Sequence, residues 1–214
     1  MTGDIPVCGD FAGHYRKAVK IAVWRNSATI RYSRNETLAH LLDRLVDDQT
    51  MHAKYPHLTG VEQVKSTDSA ATKRRIEKLR ERVQPTRLTE EQENVDINGW
   101  IWYVRHEDDN DYHVIVGSSP RATAKFMNVE ISGLPGPRAK DRAMLERVCQ
   151  RFQRLVGEPI PKSKYKALLP RMKVRIKGSL FWDADHYPPG KVGPPDARSS
   201  TVWEIHPVTS ITTI

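Results

Sequence analysis

Three acid-histidine pairs lie in the second half of this 214-residue chain, each in or at the end of a strand-like run. The pairs are Asp111 with His113, Asp185 with His186, and Glu204 with His206. Aspartate, glutamate and histidine bind divalent metals and also move protons near neutral pH. Residues i and i+2 of a strand project from the same face, so the first and third pairs each place two ligands side by side. We therefore predict that these four residues are catalytic and that all six residues bind a metal.

A cluster of these carboxylates and imidazoles would suit Mn²⁺, Fe²⁺ or Zn²⁺, and a bound metal would activate water for attack on a phosphodiester. This gives one functional hypothesis, a nuclease-like, metal-dependent phosphodiester hydrolase. The alternative is structural, because buried charges are commonly paired and hydrogen-bonded. The chain contains no HExxH motif, no P-loop and no nucleophile elbow. Whether the three pairs meet in space is therefore the deciding question.

The charge distribution supports a different hypothesis. The formal net charge is +8, and residues 138–177 carry thirteen Lys and Arg against three acids, a net charge of +10 in this segment. Basic grooves with aromatic rings bind single-stranded nucleic acid. The candidate nucleic-acid-binding residues are Lys162, Lys164, Tyr165, Lys166, Lys173, Arg175 and Lys177. An OB-like domain that engages single-stranded DNA or RNA is the leading functional prediction, although a solvated basic surface has about equal weight.

The elements that must position these residues fall into two parts. Residues 1–92 predict a mixed, partly helical N-terminal region, with amphipathic helices over Asn35 to Met51 and Ser69 to Val83. Residues 93–214 are rich in strand patterns, in the order three strands, a helix over Asp141 to Val156, and two strands. This order predicts an α+β chain whose second part is a five-stranded OB-like β-barrel with the helix between strands 3 and 4.

Several short motifs in the second part resemble a group of uncharacterised bacterial proteins. The shared pattern is D-x-H at Asp111 to His113, F-W-D-x-x-H at Phe181 to His186, and E-x-H-P-V at Glu204 to Val208. The resemblance covers about Asn94 to Ile211. It implies one domain with one site and no assigned activity.

The rest of the sequence sets broad limits. Cys8 and Cys149 lie far apart, so they indicate neither a disulfide framework nor a cysteine-based zinc site, and a reducing compartment is expected. There is no basic and apolar signal segment and no apolar run of membrane-spanning length, so a cytoplasmic location without membrane contact is predicted. A third hypothesis is a non-enzymatic accessory protein that docks a protein partner through its N-terminal helices.

Overall fold

The computed structural model describes residues 8–13, 15–26, 28–190 and 192–214. Within them the chain forms five α-helices and six β-strands. The helices are α1 (Lys17–Lys20), α2 (Leu38–Arg44), α3 (Asp48–Lys54), α4 (Ala70–Arg82) and α5 (Arg142–Val156). The strands are β1 (Glu36–Thr37), β2 (Asn94–His106), β3 (Tyr112–Gly117), β4 (Phe126–Ile131), β5 (Lys166–Trp182) and β6 (Trp203–Thr213).

The predicted five-stranded OB-like barrel is wrong. The strands form a six-stranded mixed sheet in the order β1-β2-β3-β4-β6-β5, and β2 also pairs with β5, so that the hydrogen bonds run in a ring. The sixth strand comes from the N-terminal region, where Glu36 and Thr37 pair in parallel with Ile97 and Asn98. A two-residue strand has no periodic signal, so the sequence pattern does not reveal it. The pairing of β4 with β6 is also parallel.

The N-terminal region contains α1 to α4, and α4 lies where a helix is predicted over Ser69 to Val83. The single helix expected over Asn35 to Met51 is two helices, α2 and α3. Thr37 caps α2 by accepting a hydrogen bond from His40 N, and Asp47 caps α3 by accepting one from Thr50 N. A second capping residue inside an amphipathic run starts a new helix, which explains the break.

One hydrophobic core contains residues from both sides of the predicted boundary at residues 92 and 93. Leu38 and Leu41 of α2 are fully buried in it together with Val129 of β4 and Ile205 of β6. The boundary therefore remains a prediction. Leu38 and Leu41 of α2 are covered by this core, so a protein partner could not contact them, and docking through the N-terminal helices remains a prediction.

Helix α5 is confirmed at the place where its periodicity predicts it. Its buried residues include Leu145, Val148 and Phe152, which face the core, while Gly157 ends the helix with a φ of 71°. Glycine reaches this left-handed region without the steric cost that a Cβ would impose.

Cys8 and Cys149 form a disulfide over a sequence separation of 141 residues, although their spacing indicates no disulfide framework. The bond ties the segment that precedes α1 to the middle of α5. Both cysteines are buried, and tertiary packing brings them together in a way that sequence spacing cannot indicate.

The Cys8→Ser variant is expected to lose about 2–4 kcal/mol of unfolding free energy, because the cross-link restricts the unfolded chain over a long loop. Urea unfolding of the oxidised wild type and the variant measures the difference. Wild type in excess reductant is the control and should unfold with the variant. Coincident unfolding curves for all three samples would show that the bond contributes nothing.

None of the helices in the described ranges has the length and apolar character that a membrane crossing requires.

Candidate metal centre

A row of polar side chains crosses three neighbouring strands on one face of the sheet. The row consists of Asp111 and His113 at the start of β3, Asn128 and Glu130 on β4, and Glu204 and His206 on β6. The register places His113 opposite Glu130 and Asn128 opposite Glu204. The alternate residues, among them Val114, Val129 and Ile205, face the hydrophobic core. The period of two therefore separates a charged face from an apolar one.

Glu130 is the centre of this row and is fully buried. Its Oε1 lies 2.8 Å from His113 Nε2, and its Oε2 lies 2.5 Å from His206 Nδ1. Asn128 Nδ2 donates hydrogen bonds to Oε1 of Glu130, at 2.9 Å, and to Oε1 of Glu204, at 2.8 Å. Asp111 approaches from the end of the row, where its Oδ2 lies 3.6 Å from His206 Nε2. Two of the three predicted pairs therefore meet in space.

The last residue of α1 inserts a positive charge into the cluster. Lys20 Nζ lies 3.2 Å from Glu130 Oε2 and 3.2 Å from Asp183 Oδ2, and the lysine side chain is only 9% exposed. Asp183 follows the end of β5 and is buried, and its Oδ2 lies 3.3 Å from His186 Nδ1. The cluster thus contains four buried carboxyl groups, one ammonium group and three imidazoles.

Asp183, and not the predicted Asp185, lies beside His186 in the cluster. Residues 184–186 form a single 3₁₀ turn, in which side chains three positions apart lie on the same side. Asp183 and His186 therefore face the cluster together. Asp185 instead accepts hydrogen bonds from Arg80 Nη1 and Nη2, at 3.1 and 2.6 Å.

Most of the buried polar atoms without a hydrogen-bond partner belong to this cluster. Among the described residues nine such side-chain atoms occur, and seven of them lie here. They are Asp111 Oδ2, Asn128 Oδ1, Glu130 Oε2, His186 Nδ1, Glu204 Oε2, and Nδ1 and Nε2 of His206. His206 Nδ1 and Glu130 Oε2 are close but do not form a hydrogen bond. Buried polar atoms are normally hydrogen-bonded, and carboxylate oxygens and imidazole nitrogens are ligands of divalent cations, so the cluster is a candidate metal site.

Burial and repulsion between carboxylates raise some pKa values in the cluster, whereas attraction to neighbouring basic groups lowers another. Burial raises the pKa of Asp111 and of Glu204 well above the usual range, and neighbouring carboxylates add to it. Burial alone would raise the pKa of Glu130. The effects of Lys20, His206 and His113 are larger and hold that pKa well below the usual range. The four carboxyl groups of the cluster therefore differ in how readily they hold a negative charge.

The same balance acts on the basic groups. Burial opposes the charge of Lys20, but the carboxylates of Glu130 and Asp183 raise its pKa well above the usual range. Burial lowers the pKa of His206, which favours the neutral imidazole that binds metals. Burial also opposes the charge of His186, but the adjacent Asp183 raises its pKa.

A cleft of about 330 Å³ opens onto one side of the cluster. Lys20, His113, Asp183 and His186 line it, whereas Asp111, Glu130, Glu204 and His206 lie behind them. The acidic turn of Glu107 to Asp109 forms part of the rim, and Arg105 pairs with Glu107 there.

The segment that follows the disulfide forms another wall of this cleft. Phe11 N donates a hydrogen bond to Leu134 O and Ala12 N donates one to Asp109 O, both at 2.9 Å. The Phe11 ring lies edge-on to His206, with 6.5 Å between ring centroids. Gly133 allows this approach, because a Cβ at this position would lie 2.9 Å from Phe11 Cα. Gly133 N also donates a hydrogen bond of 2.6 Å to Asp111 Oδ1, which fixes that carboxyl group.

Four of the predicted nucleic-acid-binding residues contact other residues of the chain. Arg175 donates two hydrogen bonds to Asp96, at 2.7 and 2.6 Å, and Lys177 lies 3.3 Å from the same carboxylate. Lys166 donates to the carbonyl oxygens of Val156 and Gly157. The side chain of Lys173 lies over the Trp100 ring. These four basic residues already have partners in the chain.

Of the remaining three residues of that set, Tyr165 contacts a residue that lines the cleft. Tyr165 Oη is 3.3 Å from His113 Nδ1, and the Arg105 guanidinium lies 4.7 Å from the centre of the Tyr165 ring. Lys162 and Lys164 are exposed on the same loop. Tyr165 thus supports His113 of the site, and the two lysines are exposed to solvent.

Sequence reasoning missed Lys20, Glu130 and Asp183 as members of the cluster. Two of them carry a signal. Glu130 lies two residues after Asn128 in an otherwise apolar strand, and Asp183 lies at the fixed spacing of the F-W-D-x-x-H motif. Lys20 carries none, because it is 91 residues before Asp111 and only the packing of α1 brings it to the cluster.

In comparisons with known proteins, no family model, no curated protein and no solved structure matched this chain.

Proposed function

We propose that this protein is a divalent-metal-dependent hydrolase that cleaves phosphodiester bonds in nucleic acid. The observation that carries the proposal is the set of seven ligand-type atoms without a hydrogen-bond partner in one buried cluster beside an open cleft. Four carboxyl groups and three imidazoles form a donor set that suits Mn²⁺, Fe²⁺ or Zn²⁺.

The proposed reaction is hydrolysis. Water adds to phosphorus, the bond between phosphorus and one ester oxygen breaks, and the proton lost by water balances the proton gained by the leaving oxygen. A bound divalent cation supplies Lewis acidity to the phosphoryl oxygen and lowers the pKa of water. The side chains of Lys20 and His113 line the cleft, where a phosphate group would enter.

The choice of a nucleic acid as substrate is supported by the loop of Lys162 and Lys164. Both lysines are exposed, and Tyr165 between Lys164 and the start of β5 contacts His113. Two exposed ammonium groups on the loop that leads to Tyr165 would contact phosphates of a strand whose scissile bond lies in the cleft. Binding without cleavage, the leading prediction from the sequence, is less well supported because the other four basic residues have partners within the chain.

The cytoplasmic location remains a prediction. The disulfide between Cys8 and Cys149 is more typical of proteins that fold in an oxidising compartment.

The test combines metal analysis with cleavage assays. Chelator-treated protein should be inactive on single-stranded DNA, single-stranded RNA and duplex DNA, and one of Mn²⁺, Fe²⁺ or Zn²⁺ should restore cleavage of at least one of them. The His206→Ala variant should lose bound metal and cleavage together. The double variant Lys162→Gln/Lys164→Gln should keep its metal but show a higher KM and a weaker dependence of KM on salt, by about one unit of log-log slope for each lysine. Absence of bound metal and of cleavage under all supplied metals would refute the proposal.

A further inference from the structure

The buried cluster divides into two sets of ligands. Asp111, Glu130 and His206 form the first triad, and each offers one ligand atom within 4.8 Å of the other two. Asp183, His186 and Glu204 form the second triad under the same limit. Each triad combines two carboxyl groups with one imidazole, which is a suitable donor set for one borderline divalent cation.

Two hydrogen-bond donors lie between the triads. The Lys20 ammonium is 3.2 Å from Glu130 of the first triad and 3.2 Å from Asp183 of the second. Asn128 Nδ2 donates to Glu130 of the first and to Glu204 of the second. The triads are therefore neighbours, but an ammonium group occupies the space between them. A single cation at that place would be repelled by Lys20, whereas a cation in each triad lies beside its own ligands.

The charges of the cluster also favour two cations. Metal binding requires ionised carboxylates, and with all four ionised and Lys20 charged the ligands carry a net charge of −3. A single divalent cation would leave the centre negative. Two divalent cations make it positive, which is the sign that a phosphodiester requires.

We propose that the cluster is a dinuclear centre that binds one divalent cation in the triad of Asp111, Glu130 and His206 and a second in the triad of Asp183, His186 and Glu204. This inference rests on the proposed metal-dependent function and specifies it further. Pairs of neighbouring cations of this kind stabilise both the attacking and the leaving oxygen in phosphoryl transfer.

Manganese titration of the full chain tests the proposal. Chelator-treated wild type should bind two Mn²⁺ per chain, and its electron paramagnetic resonance spectrum should show exchange coupling between neighbouring ions. Asp111→Asn and Glu204→Gln, which each alter one triad, should bind a single Mn²⁺ with an uncoupled spectrum. Glu62→Gln, at an exposed acid outside the cluster, should behave as wild type. Circular dichroism and urea unfolding would establish that the variants are folded.

The outcomes separate the two proposals. One Mn²⁺ per wild-type chain, or two without coupling, would overturn the dinuclear centre even if metal-dependent cleavage is found. Two coupled ions with no cleavage of any phosphodiester would support the dinuclear centre and overturn the proposed function. If the two triad variants keep both ions, the assignment of ligands to triads is wrong.

Discussion

Replacing Glu91 with glutamine is expected to lower the free energy of unfolding by about 3–5 kcal/mol, because the change leaves a buried guanidinium without its counter-charge. Glu91 and Arg16 are both fully buried. Arg16 Nη1 and Nη2 each donate a hydrogen bond of 2.7 Å to one carboxylate oxygen of Glu91. Such a bidentate ion pair fixes the relative orientation of the two side chains, and the two charges neutralise each other.

The pair also connects three segments of the chain. Glu91 accepts further hydrogen bonds from Leu88 N, at 2.8 Å, and from Trp182 N, at 3.0 Å. Arg16 immediately precedes α1, so the pair fixes the helix that delivers Lys20 to the metal centre. Loss of the pair should therefore also weaken metal binding, through displacement of α1.

Urea unfolding of the wild type and three variants measures this prediction. The double variant Arg16→Met/Glu91→Leu removes both charges and should be more stable than Glu91→Gln alone. Glu62→Gln breaks an exposed ion pair with Arg75 and should cost less than about 1 kcal/mol. A Glu91→Gln variant within 1 kcal/mol of wild type would contradict the importance assigned to the buried pair.

The Glu130→Gln variant is expected to bind Mn²⁺ at least about 100-fold more weakly and to lose kcat/KM by at least the same factor. Residues that only orient a metal ligand cost 10–100-fold on mutation, so a direct ligand at the centre of the cluster should cost no less. Glutamine keeps the volume of the side chain but removes the charge that faces His113, His206 and Lys20.

Calorimetric titration with Mn²⁺ and steady-state cleavage assays measure the two effects. Glu62→Gln serves again as the control, because it removes one negative charge from the chain outside the cluster. Unchanged Mn²⁺ affinity in Glu130→Gln would mean that the Glu130 carboxylate does not bind the metal. Its role would then be structural, as the ion-pair partner of Lys20.

The acid-histidine pattern and the fold pattern differ in how far the sequence could predict them. The strand period places Asp111 with His113, and Glu204 with His206, on one face, and the structure brings these residues together. The same reasoning chose Asp185 instead of Asp183. In a strand both aspartates would project from the same face, and only the 3₁₀ turn directs Asp183, and not Asp185, to His186. Lys20 could not be predicted, because a buried lysine has the same sequence context as an exposed one.

Some elements of the fold can likewise be predicted from local sequence patterns, and others cannot. Helix α5 and the long strands follow from periodic burial, which is a local property. The two-residue strand β1 and the ring of hydrogen bonds depend on pairing between distant segments, which no local pattern encodes.

The sequence by itself determined which side chains share a face of each strand, because alternation along an extended chain is fixed by backbone geometry. Only the tertiary structure decided that β3, β4 and β6 are neighbours, that α1 inserts Lys20 among their carboxylates, and that Cys8 meets Cys149. These contacts join residues far apart in the chain, and they form because burial of the common hydrophobic core brings those segments together.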